Sequence, residues 1–349
     1  MKRIILLASL IIVAAACGRM GGETMLPRAI DPSLTEDFDG IFNEVRSFST
    51  DELHCLMVVK DGKVVYERYE PGHEPEVRHI MWSASKTFTA TAVGFAVQDL
   101  LINLDNTIMQ YFTPDEIPEE YDAWRESITI QDLLMMSSGF DPIHAGIPEA
   151  GKDYNWASTE LNRPMAFEPG TRWCYDSFDS YLLSVIVSRM CGEHMDSYLD
   201  KKLFRPLGIK DWYWEASPQG YPAGGWGLYL KPESFAKMGQ FMLQKGSWNG
   251  KQLLDPAWIE EATAPHIMQY AGTDPTPEQL AAYALDDKNT GYGYQVWCLP
   301  GGGYRLDGAH GQYCYVIPEK NLVVACFASS SKTKIIRNAI TTRIINRAW

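Results

Sequence analysis

Two strand pairs, each with turn chemistry at its centre, stand at opposite ends of this 349-residue chain, and that separation limits what it can fold into. Cys55 to Val59 and Lys63 to Tyr69 flank Asp61-Gly62, a dipeptide suited to a tight turn that needs positive φ. Gly311 to Ile317 and Leu322 to Ala328 flank Pro318-Glu319-Lys320-Asn321, and a helical pattern follows from about Thr333 to Asn346. An amphipathic helix is predicted from Leu34 to Phe48. The middle, from about Leu101 to Thr290, carries helical patterns at Thr129 to Met136, Ser177 to Cys191, Met195 to Leu203 and Pro232 to Gln244, separated by loops rich in Pro, Gly and Trp. This order predicts an α/β fold: an antiparallel sheet built from both chain termini and flanked by helices, with a large, mostly helical inserted subdomain. The domain would cover 35–349, its α/β part about 35–100 and 291–349, and the helical insertion about 101–290.

At 46% hydrophobic content the chain can bury a large core. Its first sixteen residues read as an export signal: Lys2 and Arg3, then the apolar run Ile4 to Ala16. Cys17 follows Ala14-Ala15-Ala16 and precedes Gly18, which resembles a bacterial lipobox with Cys17 as the lipidated first residue. Residues 17–34, with Gly21-Gly22, Pro27 and Pro32, read as a tether. The expected location is the bacterial cell envelope, on the exported side of a membrane held through that lipid anchor. A net charge of −13 argues against a nucleic-acid partner, whose phosphates are neutralised by basic residues. Cys55, Cys174, Cys191, Cys298, Cys314 and Cys326 have no metal-clip spacing and read as small buried apolar residues. The seven histidines are scattered with no His-Glu-x-x-His, so neither a metal nor another cofactor is expected in the mechanism.

Four Ser-x-x-Lys matches occur, and only Ser83-Ala84-Ser85-Lys86 opens a small-residue apolar run, Thr87 to Val97, that reads as a buried helix. A helix N-terminus presents unpaired N–H groups and the positive end of the dipole, which favour negative charge on a serine oxygen and oppose charge on an ammonium. Positions three apart share a helix face, so Lys86 can reach Ser83 Oγ, and burial lowers a lysine pKa toward that of a base near neutrality. Ser234/Lys237 falls on an amphipathic helix and is expected in solvent; Ser329/Lys332 and Ser331/Lys334 fall in a polar turn.

Together with that tetrad, several segments in order make the chain resemble the serine beta-lactamase-like family, which includes class C beta-lactamases, D-alanyl-D-alanine carboxypeptidases, family VIII esterases and 6-aminohexanoate-dimer hydrolases. The resemblance covers about residues 35 to 347. Ser83 and Lys86 match the family's Ser-x-x-Lys, Thr129 to Gly139 matches its Thr-Ile-x-Asp-Leu-Leu-x-Met-Thr-Ser-Gly segment, and Pro169 to Ser177 matches its Pro-Gly-Thr segment. The resemblance implies Ser83 as nucleophile, Lys86 and Tyr175 as general base and acid, and Ser177 as the third residue of the Tyr-x-Asn/Ser motif. Gly224 to Leu228, containing Trp226, resembles a glycine-rich loop, and Gly308-Ala309-His310-Gly311-Gln312 resembles the family's edge strand. The oxyanion hole implied is the backbone N–H of Ser83 and of Ala309, with Gly308, Gly311, His310, Trp226 and Ser177 toward substrate.

Either Lys86 or Tyr175 can take the first proton, since a phenol beside an ammonium ionises more easily. Where many beta-lactam-hydrolysing relatives carry Lys-Thr-Gly, this chain reads Leu306-Asp307-Gly308, so the cation that would receive a substrate carboxylate is missing and Leu306 holds its register. The expected function is a lipid-anchored serine hydrolase that cleaves a small-molecule ester, amide or peptide bond through an acyl-enzyme, with esterase or amidase activity favoured over beta-lactamase. Two alternatives are an inactive binding or sensor protein on the same fold, and a D-amino-acid peptidase acting on peptidoglycan fragments.

Overall fold

The structure is a computed structural model that describes residues 25–47, 52–142, 155–284 and 286–349. The leader, Cys17 and most of the tether lie outside the described residues. Helix α1 spans Thr35–Arg46, and β1 (Glu52–Lys60), β2 (Lys63–Tyr69), β3 (His79–Ile80) and α2 (Ser85–Gln98) follow. The middle holds α3 (Ala123–Ser127), α4 (Ile130–Leu134), α5 (Trp156–Leu161), α6 (Ser177–Cys191), α7 (Met195–Leu199), β4 (Tyr213–Trp214), β5 (Leu228–Leu230) and α8 (Pro232–Leu243). It continues with β6 (Ser247–Trp248), β7 (Lys251–Gln252), α9 (Pro256–Thr263) and α10 (Pro277–Tyr283). The chain closes with β8 (Trp297–Cys298), β9 (Tyr304–Gly308), β10 (Gln312–Ile317), β11 (Leu322–Ser329) and α11 (Thr333–Ile340).

Six strands form one antiparallel sheet in the order β2-β1-β11-β10-β9-β8. Its central pair joins the two ends of the sequence, with Leu56 opposite Cys326 and Val58 opposite Val324. The pleat sends alternate residues to opposite faces. Leu56 and Val58 therefore pack with Phe38, Ile41, Ile336 and Ile340 under α1 and α11, while Cys55, Met57 and Val59 pack with Phe235 and Met238 of α8 on the other face. Burial on both faces explains why the central strands read as continuous apolar runs although the sheet is antiparallel. Each large side chain buried this way contributes roughly 1.5–3 kcal/mol.

The middle segment departs from the expected helical insertion in one respect. Helix α8 belongs to the sheet layer, because its apolar stripe lies on β1, β10 and β11. Ser234 and Lys237, expected in solvent, are consequently buried at 1% and 0% exposure. A second sheet, in the order β3-β5-β4, ties the middle to the segment leading into α2: His79 pairs with Leu230, and the Met81 N–H donates to Leu228 O at 2.7 Å. The six cysteines among the described residues are free thiols, four of them buried, in keeping with their reading as small apolar residues.

Candidate active site

Trp82–Ala84 forms one tight helical turn and α2 begins at Ser85, so Ser83 sits on the last turn before a buried helix. Trp82 has φ of 47°, a strained conformation for a bulky residue, directly before the serine. Ser85 holds the turn by donating to Trp82 O at 2.6 Å while its own oxygen accepts the Leu228 N–H at 3.2 Å. Lys86, at 1% exposure, donates to Ser83 Oγ at 3.2 Å, Ser177 Oγ at 2.9 Å and Gly225 O at 2.7 Å. Burial lowers its pKa to about 7, against the opposing pull of Asp176 and Asp179. Gly225 can be only glycine here, since a Cβ would lie 2.4 Å from Ser177 O. The glycine pair at 224–225 thus brings a carbonyl to the lysine, and Thr89 fixes the pair from α2 by donating to Gly224 O at 2.8 Å.

Tyr175 and Ser177 reach the same point from the other side. Thr129 and Asp132 form a capping box that starts α4, and the turn after α4 is a bed for the Pro169–Ser177 segment. Gly170 N–H donates to Ser137 O at 2.9 Å and Cys174 N–H to Met136 O at 2.7 Å. The Asp176 carboxylate then accepts the Phe178 N–H at 2.8 Å and starts α6, which places Ser177 on its first turn. The Tyr175 hydroxyl is near enough to Ser83 for the serine to favour its ionised form, and the Lys86 ammonium lies 4.8 Å from the centre of the tyrosine ring. Burial outweighs this effect of Ser83 and pushes the phenol well above its ordinary value. Burial thus moves the two candidate bases in opposite directions, the amine down to about 7 and the phenol up.

Sequence reasoning missed the layer behind this cluster. Glu160, Asp176 and Asp179 are all buried, and Arg163 pairs with Glu160 and, at 2.6 Å, with Asp176. Burial first, and the Asp176 charge second, raise Asp179 well above the ordinary carboxyl range and Glu160 to about 8. These residues come from α5, the loop after it and α6, and no local spacing joins them. The aromatic rim was also partly missed: Trp297 lies 6.0 Å from Tyr175 and 5.7 Å from Trp173, ring centre to ring centre.

At the other wall, the expected edge strand is only partly a strand. β9 ends at Gly308, past its last pairing with β8 at Arg305, and Ala309–Gly311 turns into β10 as one helical turn. Gly308 abuts the turn that holds Ser83, since a Cβ would lie 2.2 Å from Met81 O, and this brings Ala309 beside the serine turn. His310 is exposed with φ of 64° and its ring meets Trp82 edge-on at 5.4 Å. Gly311 is buried against Ile336 and Ala328, so its place is in packing behind the turn rather than toward substrate. Trp226 is half-buried, stacks on Trp156 at 5.7 Å and packs on Phe178 at the margin of the core. Leu306 shares the β9 face of Gly308 and is buried in the core at 0% exposure, whereas Asp307 takes the opposite face, pairs with Arg305 at 2.8 Å and acts on Tyr175 only through space.

This fold and this serine, lysine and tyrosine cluster define a serine-hydrolase-type architecture, and the chain matches the beta-lactamase family over residues 55–345. It belongs to that family. A relative in Escherichia coli O157:H7 named "Putative D-alanyl-D-alanine carboxypeptidase" is 26% identical over 178 residues, covering 44% of this chain and 41% of the relative. The match thus spans about two fifths of that relative's length. Among solved structures, a "Putative 6-aminohexanoate-dimer hydrolase" from Bacillus anthracis superposes with a TM-score of 0.73 at 20% identity, over 93% of this chain and 87% of that one. A putative beta-lactamase from Bacteroides dorei gives 0.74 at 17% identity, over 91% and 100%. These likenesses place the fold.

Proposed function

We propose that the protein is a serine hydrolase that cleaves small neutral esters or amides through an acyl-enzyme on Ser83. The observation that carries the reading is the Lys86 amine, buried, lowered to about 7 and 3.2 Å from Ser83 Oγ. A neutral amine has two N–H donors and one lone pair. With the donors committed to Gly225 O and Ser177 Oγ, the lone pair faces Ser83, which is what a general base requires. Ser83 Oγ attacks the substrate carbonyl as its proton passes to Lys86, and the N–H groups of Ser83 and Ala309 hold the oxyanion. Collapse expels the leaving group, which takes a proton delivered by Lys86 through the Tyr175 hydroxyl, itself held as a neutral phenol. Water then repeats the sequence on the acyl-enzyme.

Substrate charge follows from the wall opposite. Asp307 stands near Tyr175, and the adjacent cation, Arg305, is fully buried and already bound to Asp307 and Asp287. Among the described residues β9 offers no free cation to a substrate carboxylate, which supports uncharged acyl groups; Trp82, Trp173 and Trp297 supply apolar surface, and Lys288, over the Trp297 ring at 5.5 Å, is the cation at the rim. A D-amino-acid peptidase is the second reading, favoured by the match to the carboxypeptidase-named relative. The export signal and Cys17 support anchoring at the cell envelope through lipid. Cys17→Ser should release the protein from the detergent phase, and its retention there would end that part of the proposal.

The test of the hydrolase reading is kcat/KM for short-chain esters against pH, beside labelling by a serine-directed phosphonate. Activity should rise with pH to a plateau with a midpoint at about 7, and Ser83→Ala should abolish both labelling and turnover. Labelling retained in Ser83→Ala would remove Ser83 from the mechanism. Peptides ending in D-alanine, run in parallel, decide between the two substrate classes.

A further inference from the structure

Three histidines far apart in sequence converge beside the first strand. His54 lies at a bulge: Leu53 pairs with Ala328 and Cys55 with Phe327, which leaves His54 as the extra residue on β1. Bulges re-aim a side chain out of the regular alternation. His73 follows the turn after β2, where the Glu70 N–H donates to His54 O at 2.8 Å and the His73 N–H to Glu70 O at 3.0 Å. His79 comes from β3 and stacks on Phe327 at 4.6 Å. The rings of His54 and His73 are 3.7 Å apart, and His79 lies 5.4 Å and 5.3 Å from them. One ring nitrogen from each lies within 4.8 Å of the other two.

We propose that His54, His73 and His79 form a binding site for one divalent transition-metal ion, Zn2+ by donor type, outside the serine, lysine and tyrosine cluster. Two buried nitrogens, His54 Nδ1 and His79 Nε2, have no hydrogen-bond partner, and His79 is only 8% exposed. A buried nitrogen without a partner is a standing cost that a metal–nitrogen bond removes. Three imidazoles and no carboxylate suit a borderline-soft ion and not Mg2+ or Ca2+. The His54 and His73 rings stack with 6° between their planes, and a metal lies in the plane of each imidazole that binds it, so His73, in its half-buried turn, rotates out of the stack as Zn–N bonds of about 2.0–2.1 Å bring the nitrogens to roughly 3.4 Å apart. Of the neighbouring carboxylates, Glu70 is tied to Arg46 at 2.5 Å and Arg68 at 2.6 Å, and Glu74, which interacts with His73, accepts the Gly72 N–H at 3.0 Å; with both engaged, the fourth position is left to water. The ion would pin the β1 bulge, the turn after β2 and β3 together, four residues before Ser83, as a structural clip.

The experiment is metal titration of the untagged full chain stripped with a chelator. Zn2+ should bind at one equivalent and raise the midpoint of thermal unfolding saturably, and Co2+ should give d–d absorption without thiolate charge transfer. His73→Ala, in a partly exposed turn, should keep the fold and weaken Zn2+ binding by roughly a hundredfold or more, since even outer-shell losses cost 10–100-fold. His54→Ala and His79→Ala should do the same if they fold, while His194→Ala at an exposed helix start should bind as the wild type does. Absence of stoichiometric binding, equal binding by His73→Ala, or a thiolate band from cysteine coordination would each overturn the proposal.

Discussion

Lys86 and Arg305 are both buried to 1% exposure or less, and they are put to opposite uses. Arg305 on β9 pairs with Asp307 at 2.8 Å and Asp287 at 2.7 Å, and Arg337 shares Asp287. Burial works to lower its pKa, but the Asp307 and Asp287 carboxylates outweigh it and hold the guanidinium charged. Lys86 meets no carboxylate at contact distance. Its partners are two hydroxyls and a carbonyl, while Asp176 and Asp179 act on it only through space, with Asp176 neutralised by Arg163. Desolvation therefore wins at Lys86 and loses at Arg305. Burial sets the size of the stakes, and the first ring of partners decides whether a cation stays a structural charge or becomes a base.

The sharpest way to break this comparison is to give Lys86 the charge of Arg305. Lys86→Arg should lower kcat/KM by about a thousandfold or more, because a guanidinium cannot give up its proton in the working range; ester turnover within tenfold of wild type would show that no deprotonation is needed there. Tyr175→Phe removes the hydroxyl near Ser83 and should cost roughly a hundredfold to a thousandfold. Combined with Lys86→Ala, it should cost less than the product of the two losses, because groups in one proton relay act as a unit. Losses that multiply in the double variant would separate the two residues.

How far the sequence carried this comparison depends on the range of each signal. The bounds of α6, both hairpins and the Ser83/Lys86 pairing were readable because capping, turn chemistry and helical spacing act over a few residues. Tyr175 and Ser177 needed the family resemblance to be joined to Ser83, since the bed formed by Met136 and Ser137 is a tertiary contact. The place of α8 on the sheet, the Arg163 layer and the convergence of His54, His73 and His79 depend on which elements become neighbours. No periodicity encodes that. The register around Leu306 lies between the two: alternation puts Leu306 on the face of Gly308 and Asp307 on the other, and only the contact of Gly308 with the serine turn shows which face meets that turn.

On the Arg305 side, Arg305→Met leaves Asp287 and Asp307 facing each other without their shared cation. Breaking a buried pair from one side costs about 3–5 kcal/mol, and the exposure of Asp287 at 26% argues for the lower end. Urea unfolding of Arg305→Met and of Arg305→Met/Asp287→Asn checks this: the double variant should recover part of the loss. An unchanged midpoint for the single variant would mean that the pair contributes nothing net.

Lys86 should behave in the opposite sense, and here pH is the better probe. Its folded pKa of about 7 lies below the unfolded value of 10.5, so between these values the unfolded chain binds more protons and stability rises with pH. Below about 7 both states hold the proton and the deficit is present in full; above 10.5 it is gone. Lys86→Met removes the titration, and it also strands the Gly225 carbonyl, at a cost of about 1–3 kcal/mol that does not depend on pH. The absolute stability of the variant is thus ambiguous, but its difference from wild type is not. That difference should shift by about 3 kcal/mol in favour of wild type between about pH 6 and pH 9.5, since each unit of pKa displacement is worth about 1.4 kcal/mol. Parallel unfolding curves across that range would mean that the lysine is charged in the folded state throughout, and Lys86 would then join Arg305 as a structural cation.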